Sequence, residues 1–266
     1  MRRRRIIVLC AAAAIIIPAV GSYVLRPREP EYRGKQFSEW LDRYYDSSVA
    51  NDRVSKEQAE NAFRSIGTNA LPPLLRMVAA KDSALKRKLL ALLAKQSFVS
   101  LHIRDSDFYH SRASFGFAAL GPIARPAVPE LISLLNDTDP QVQATAANAL
   151  AGIGPEAEDA VPALLRCLDD RNNGVLQIET MIALGSIHKK PEIVVPVLIE
   201  YLDGPRKDWN FMAFALPALG WYGKEAKAAI PAIKQYLDDP NGNIKSEANN
   251  ALWRIDREAA AKAQVK

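Results

Sequence analysis

From residue 70 onward the chain repeats a short pattern of apolar positions that contains a proline near its start. In the stretch AVPELISLLND the apolar residues follow one another at spacings of three, four and seven: Val128, Leu131, Ile132 and Leu135. Such spacing places the side chains on one side of an α-helix. The pattern therefore predicts an amphipathic helix that has to bury one apolar stripe.

The same stretch recurs at nearly constant intervals. The segments AVPALLRCLDD, VVPVLIEYLDG and AIPAIKQYLDD align with it without gaps, and ALPPLLRMVAA, with Pro72, is an earlier copy. The prolines of the last four copies are 33, 34 and 35 residues apart: Pro129, Pro162, Pro196 and Pro231. Proline costs little in the first turn of a helix, because the N–H groups there lack an intrahelical partner. We expect each of these prolines to lie in the first turn of a helix.

The segment before each proline follows a second repeated pattern. AENAFRSIG and AANALAGIG share residues at equivalent places, and FMAFALPALGWYG follows the same register. Three leucines then occupy one column of the alignment: Leu150, Leu219 and Leu252. Each unit is thus predicted to contain a first helix, a turn, a second helix and a polar loop. The last unit, from Asn243, shows one helix and a charged tail, as expected of a capping element.

Glycine and acidic residues punctuate these units. Gly121, Gly154 and Gly223 suit the left-handed conformation that ends a helix, and His188 replaces glycine in one unit as a turn residue. The pairs Asn136-Asp137, Asp169-Asp170 and Asp238-Asp239 close the units, and we expect them to cap the next helix. Pro217 falls inside a first helix, where it is expected to produce a kink.

The arrangement resembles the HEAT-repeat family, including its lyase-type variety, from Ser55 to about Ala261. The resemblance implies an all-α fold, a right-handed α–α superhelix, because no unit can bury its stripe alone. The stretch YRGKQFSEWL, which follows an apolar leader, resembles the start of uncharacterised exported bacterial HEAT proteins. We divide the chain into 1–28 (leader), 29–54 (linker and N-terminal capping helix) and 55–266 (repeats, with an insertion around 83–112).

The leader predicts a membrane-spanning or signal helix before the solenoid. Ile6 to Leu25 is a run of 20 residues without a charge, which is long enough to cross a bilayer, and Arg2 to Arg5 precede it. Arginines on that side favour a cytoplasmic N-terminus, so the repeats are expected outside the cytoplasmic membrane, in the periplasm. The alternative is secretion after cleavage at the small residues Ala19-Val20-Gly21.

The basic pI of about 9.1 does not indicate a nucleic-acid partner. Setting aside the four leader arginines reduces 35 basic residues to 31, against 30 acidic ones. The repeats are thus nearly neutral, whereas nucleic-acid binding needs a basic surface.

The insertion holds the one group of residues that could ligate a metal. Pro72 and Pro129 are 57 residues apart, and the excess contains a predicted helix, Ser83 to Gln96, followed by SFVSLHIRDSDFYHSRAS. The second stretch carries His102, Asp105, Asp107 and His110. Their spacing matches no metal motif, so we interpret the stretch as a polar loop between helices. We expect no metal, no cofactor and no catalytic residue.

The resemblance implies a binding face. HEAT proteins usually line their concave face with second helices, and the outward residues follow each proline by four or five positions. The resulting candidates for a protein or peptide partner are Arg76, Ser133, Arg166, Glu200, Tyr201, Gln235 and Tyr236. Met77, Leu134 and Cys167 occupy the remaining positions of the second column.

We therefore predict a monomeric, non-catalytic scaffold that binds a protein or peptide and is attached to the membrane by its leader. Two alternatives remain open. HEAT-like lyases and DNA-repair glycosylases are enzymes, but both would be expected in the cytoplasm, and a glycosylase needs a basic groove. A purely structural component of the cell envelope cannot be separated from the scaffold by sequence.

Overall fold

The computed structural model describes residues 29–84, 86, 88, 104–169, 173–204 and 209–264. The predicted leader helix and most of the predicted helix 83–96 lie outside these ranges. Within them, no helix has both the length and the apolar character needed to cross a bilayer. The described chain is almost entirely helical, as predicted.

A small hairpin and one helix precede the repeats. Strands β1 (Glu31–Tyr32) and β2 (Lys35–Gln36) pair antiparallel, and helix α1 (Phe37–Val49) follows them directly. The Trp40 indole N–H donates to the Tyr32 carbonyl at 3.0 Å, which attaches the hairpin to α1. The segment predicted as a linker thus contains paired strands, the one departure from an all-α fold in the described chain.

The repeat units consist of two kinds of helix. The first helices are α2 (Arg53–Ile66), α4 (Ser106–Leu120), α6 (Pro140–Ile153), α8 (Gly174–Ile187), α10 (Trp209–Tyr222) and α12 (Gly242–Ile255). The second helices are α3 (Leu71–Val78), α5 (Val128–Leu134), α7 (Val161–Cys167), α9 (Pro191–Asp203) and α11 (Ile230–Lys234). From α4 to α12 each first helix packs against the next, so the units form a solenoid. A short helix, α13 (Arg257–Gln264), follows α12 where we expected only a tail.

Helix α1 packs on the start of this stack through one partly buried arginine. Arg112 of α4 lies 3.2 Å (Nε–Oδ1) from Asp42 of α1. Its guanidinium also lies over the rings of Tyr45 and Phe108, at 3.7 and 4.1 Å from their centroids. A charge paired and stacked in this way is well compensated, and it fixes the position of α1 relative to α4.

Short 3₁₀ segments join the first and second helices in most units. They span Gly67–Ala70, Gly121–Ala127, Gly154–Ala160 and Gly223–Ala229. The predicted positive φ is confirmed at Gly121 (53°) and Gly154 (74°), but their ψ values, −130° and −142°, differ from those of a left-handed helical residue. This region is essentially restricted to glycine, because a Cβ atom would clash with the backbone.

The unit that contains His188 is built differently. His188 has φ 36° and ψ 44°, which confirms it as a left-handed turn residue. No 3₁₀ segment follows, and α9 begins at Pro191 and continues through Pro196. The expectation that Pro196 lies in a first turn is therefore wrong, because Pro191 already starts the helix. Elsewhere the expectation is confirmed, since the repeated proline lies in the first turn of its helix: Pro72, Pro129, Pro162 and Pro231.

Two helix caps lie two residues later than predicted, and the helix after Asp169-Asp170 is capped by Asn173, which accepts from the Leu176 N–H. Asp139 caps α6 by accepting from the Gln141 N–H, and Asn241 caps α12 by accepting from the Asn243 N–H. Asp137 in turn accepts from the N–H of Asp139, at 2.8 Å. Asp239 accepts from the N–H of Asn241 at the same distance. The acidic pairs thus position the capping residue and do not cap the helix themselves.

Consecutive first helices approach each other so closely that their backbones touch. A Cβ atom built on Gly152 of α6 would lie 2.8 Å from the Ala118 nitrogen of α4. One built on Gly220 of α10 would lie 3.1 Å from the Ala251 Cα of α12. The predicted leucine column, represented by Leu150, is fully buried beneath this contact.

Substitution of Gly152 by alanine tests this packing. The added methyl group collides with backbone atoms that cannot rotate away, so we expect a loss of about 1–3 kcal/mol in the free energy of unfolding, measured by urea denaturation. Gly242→Ala is the matched control, because no atom would lie within 4 Å of the methyl group that it adds and the φ of Gly242 is ordinary. We expect that change to alter stability by less than about 0.5 kcal/mol. Equal effects of the two changes would contradict the close contact.

Candidate functional site

In each of the five copies, the residue four positions after the repeated proline is a predicted partner contact. All five of these residues lie at the surface. Each of them is exposed: Arg76, Ser133, Arg166, Glu200 and Gln235. They stand on five successive second helices or directly after them. This column alternates between basic, acidic and neutral side chains, so it carries no single charge.

The residues five positions after each repeated proline are not exposed, contrary to our expectation for this second column. Met77, Leu134 and Tyr201 are partly buried, and Cys167 and Tyr236 are buried. The Tyr201 hydroxyl donates to the Leu168 carbonyl at 2.6 Å, and the Gln177 side-chain amide donates to the Tyr201 oxygen at 3.3 Å. Tyr201 therefore joins its own unit to the previous one.

Tyr236 repeats this contact one unit later. It is only 3% exposed, and its hydroxyl donates to the Leu202 carbonyl at the end of α9. Burial, and secondarily the carboxylates of Asp203 and Asp239, raises the pKa of the Tyr236 hydroxyl, which keeps it a donor. The two tyrosines predicted to contact a partner thus satisfy helix-end carbonyls between neighbouring units.

The contacts between consecutive helices differ in kind in the two layers of the solenoid. The second helices are joined by the tyrosine side chains of Tyr201 and Tyr236, together with a Gln235–Asp203 hydrogen bond of 3.1 Å. The first helices are in contact through glycine and alanine, as at Gly152 and Gly220. Small residues thus separate the first helices where these contacts occur, and longer side chains separate the second helices.

The outward face of the first helices carries two of the exposed large apolar side chains of the central units, and a third, Ile193, lies on the second helix α9. Val175 of α8 is 55% exposed and Trp221 of α10 is 41% exposed. Partly buried apolar residues lie on the same two helices: Ile178, Ile182, Phe214 and Pro217. Trp221 lies across Gly185, where a Cβ atom would fall 2.2 Å from the Trp221 Cε3 atom. We call this surface of α8 and α10 the first-helix face.

One carboxylate stands within this face. Glu179 of α8 is half-buried, and its Oε2 atom accepts a hydrogen bond from the Asn148 side-chain amide of α6 at 2.7 Å. Burial raises the pKa of Glu179, and the hydrogen bond from Asn148 opposes that shift only in part. Within the described residues Glu179 forms no salt bridge.

Sequence reasoning missed the first-helix face, although the alignment contained a signal for it. Five positions before the buried leucines Leu150, Leu219 and Leu252 stand Thr145, Phe214 and Glu247, respectively. The equivalent residue of α8 is Glu179. A column that changes from unit to unit beside an invariant buried column is typical of a surface on which function varies.

The histidine and aspartate cluster has structural roles where it is described. Residues 106–112 are part of α4 and do not form the loop that we expected, because Asp105 caps that helix by accepting from the Phe108 N–H. His110 is buried, and its Nε2 atom lies 2.9 Å from the Ala80 carbonyl oxygen. His102 lies outside the described residues, and within them no group of three metal-ligating side chains occurs.

Comparison with known proteins identifies the repeats. Residues 99–185 match the family model described as HEAT repeats. Residues 99–185 of this chain are thus similar to HEAT repeats. The resemblance seen in the sequence is thereby confirmed. No curated protein matches the chain.

Two engineered proteins solved by the Northeast Structural Genomics Consortium are similar in structure. One is 20% identical over 85% of this chain and 97% of its own, with a TM-score of 0.44. The other is 23% identical over 85% of this chain and 60% of its own, also with a TM-score of 0.44.

Removal of the Tyr236 hydroxyl tests its role in joining the HEAT units. Tyr236→Phe leaves the ring in place but deprives the buried Leu202 carbonyl of its donor, so we expect a loss of about 1–3 kcal/mol in the free energy of unfolding. Tyr45→Phe is the matched control, because the Tyr45 ring packs on Phe115 while its hydroxyl makes no hydrogen bond within the described residues. Urea denaturation of both variants measures the difference. An unchanged midpoint for Tyr236→Phe would show that the hydroxyl is dispensable.

Proposed function

We propose that this chain is a non-catalytic scaffold that binds a protein or peptide on its first-helix face. The observation that carries the proposal is the group of exposed and half-buried apolar side chains on α8 and α10, which includes Val175, Phe214 and Trp221. Contiguous exposed apolar surface is costly in water and marks interaction sites. Aromatic anchors are also enriched where proteins bind one another.

We infer that the first-helix face is the inner side of the solenoid. When one layer of a stack is spaced by glycine and the other by tyrosine, the stack curves toward the tighter layer. This inference reverses the expectation drawn from the family resemblance, in which the second helices are innermost. It also accounts for Tyr201 and Tyr236, whose length separates the outer helices.

The charges of the first-helix face favour a protein over a nucleic acid. Glu179 lies within it, and Glu247 occupies the equivalent column of α12. Carboxylates repel phosphate, whereas a DNA-repair glycosylase needs a basic groove with stacking aromatics. The enzymatic alternatives therefore gain no support from this surface.

Covalent crosslinking in intact cells tests the proposed face. A photoreactive p-benzoylphenylalanine replaces Phe214 in one full-length variant and Arg166 in another. We expect adducts of defined higher mass from the Phe214 position, at least severalfold more abundant than from the Arg166 position. Adducts confined to Arg166 would move the surface to the second helices, and adducts at neither position would contradict the scaffold function.

We further propose that the scaffold works outside the cytoplasmic membrane, held there by the leader. The support is the uncharged run from Ile6 to Leu25 behind the arginines at positions 2–5. Cleavage of the leader, with release of the repeats, is the competing form of the same proposal.

A C-terminal reporter tests this placement. Alkaline phosphatase, which is active only outside the cytoplasm, is fused after Lys266. We expect activity in the full-length fusion and at least a tenfold loss when residues 1–28 are deleted. Activity that does not depend on the leader, or no activity in the full-length fusion, would contradict export.

A further inference from the structure

We propose that the first-helix face recognises an extended segment of a partner through one cationic side chain, arginine or lysine, bound by Glu179. The inference rests on the proposed scaffold function and specifies the chemistry of the partner. It assigns the cation to the Glu179 carboxylate and a neighbouring apolar side chain to the surface formed by Phe214 and Trp221.

The Glu179 carboxylate is only partly exposed to solvent. The side chain is half-buried between the apolar residues Ile178 and Ile182, on the outward side of α8. Its Oε2 atom accepts from Asn148, and its Oε1 atom accepts no hydrogen bond within the described residues. Within the described residues the Oε1 atom is thus left available to accept a hydrogen bond, next to the apolar side chains of α8 and α10.

Within the described residues no basic side chain pairs with Glu179. A carboxylate that leaves water is normally compensated by a basic group or by several hydrogen-bond donors. Within the described residues the Asn148 amide is the only group that donates a hydrogen bond to Glu179, and burial raises the pKa of Glu179. Arg112 of α4, by contrast, is paired with Asp42 within the chain. A cation supplied by a partner would complete the site.

The surroundings of Glu179 determine what flanks the cation. In the neighbouring helix α10, Phe214 occupies the column equivalent to Glu179 and Trp221 lies two turns further on, over Gly185. Helices in contact are about 8–10 Å apart. An extended peptide advances about 3.3 Å per residue and turns every second side chain to the same side, so the side chain two or four positions from the cation faces α10. We therefore expect a segment in which arginine or lysine is separated from an aromatic or aliphatic residue by two or four positions.

Other classes of partner fit the first-helix face less well than a peptide with a cationic side chain. An anionic membrane surface or a nucleic acid would meet the carboxylates of Glu179 and Glu247. A second copy of the chain would have to bring a free basic side chain to Glu179. We retain the second copy as an outcome of the test.

Peptide selection with the full-length chain tests the inference. A phage-displayed library of random twelve-residue peptides is selected against the full-length chain in detergent micelles, and the most enriched peptide is synthesised with a fluorescent label. We expect the enriched peptides to carry arginine or lysine and an aromatic or aliphatic residue two or four positions apart. Fluorescence anisotropy then measures the affinity, and we expect Glu179→Gln to weaken it about ten- to hundredfold, because a charge-assisted hydrogen bond is lost.

A double-mutant cycle separates recognition from a structural role. The basic residue of the peptide is replaced by norleucine or citrulline. We expect this to weaken binding to the native chain but to have little effect on Glu179→Gln, since both changes remove the same contact. Glu130→Gln, an exposed carboxylate on α5, is the matched control and should bind as the native chain does. The unfolding midpoint of Glu179→Gln should equal or exceed that of the native chain, whereas a structural glutamate would lower it.

The outcomes distinguish this inference from the proposed function. Binding that is weakened by Trp221→Ala but not by Glu179→Gln would overturn the cation site and leave the first-helix face as the binding surface. Binding that neither variant affects, or no enriched peptide, would overturn both. Concentration-dependent dimers of the native chain that Glu179→Gln abolishes would identify a second copy as the occupant and overturn the peptide partner.

Discussion

The structure depends on one constraint, the contact of backbone with backbone between consecutive first helices. Gly152 and Gly220 permit it, because a single methyl group at either place would press on the next helix. Second helices meet across longer side chains, with Tyr201 and Tyr236 reaching the carbonyls at the end of the preceding unit. Small residues thus mediate the first-helix contacts and long side chains the second-helix contacts, and we infer the curvature of the solenoid from this difference.

These two kinds of contact between units determine which side chains are free to vary. Glycine, alanine and the buried leucine column hold the units together, and tyrosine hydroxyls donate to carbonyls near helix ends of the neighbouring unit. Tyr222 does the same at the irregular turn, with its hydroxyl 3.0 Å from the carbonyls of Leu184 and Lys189. The column that contains Glu179 and Phe214 is only partly exposed, and its residues differ in chemistry from unit to unit although the units stack in the same way.

The features that follow from local chemistry could be predicted from the sequence. A proline near the start of a helix and a turn residue at His188 depend on the φ/ψ preferences of a few neighbouring residues, and both were found. The caps were misplaced by two residues because aspartate can hold a turn as well as a helix end, and Asp137 does the former.

The binding face is a different kind of property, because it depends on distances between units that are far apart in sequence. A tyrosine five positions after the repeated proline, as at Tyr201 and Tyr236, gives the same sequence pattern whether its side chain points to solvent or to the previous unit. Its hydroxyl partner, such as Leu202 for Tyr236, lies 34 residues away. Only the relative spacing of the two layers decides between these possibilities, and that spacing rests on glycines such as Gly152, which in the sequence look like ordinary small residues of a helix.

Glu179 shows why the outward column has to be understood separately from the fold. At the equivalent place in α6, Thr145 is buried and satisfies its hydroxyl within its own helix by donating to the Gln141 carbonyl. A threonine of this kind would serve the stack in α8 equally well. A half-buried carboxylate held by one amide instead lowers stability at neutral pH, because the raised pKa means that ionisation is harder in the folded chain than in the unfolded chain. Within the described residues no basic side chain pairs with Glu179 to offset this cost. A cation supplied by a partner would offset it, and the proposed recognition site rests on that difference.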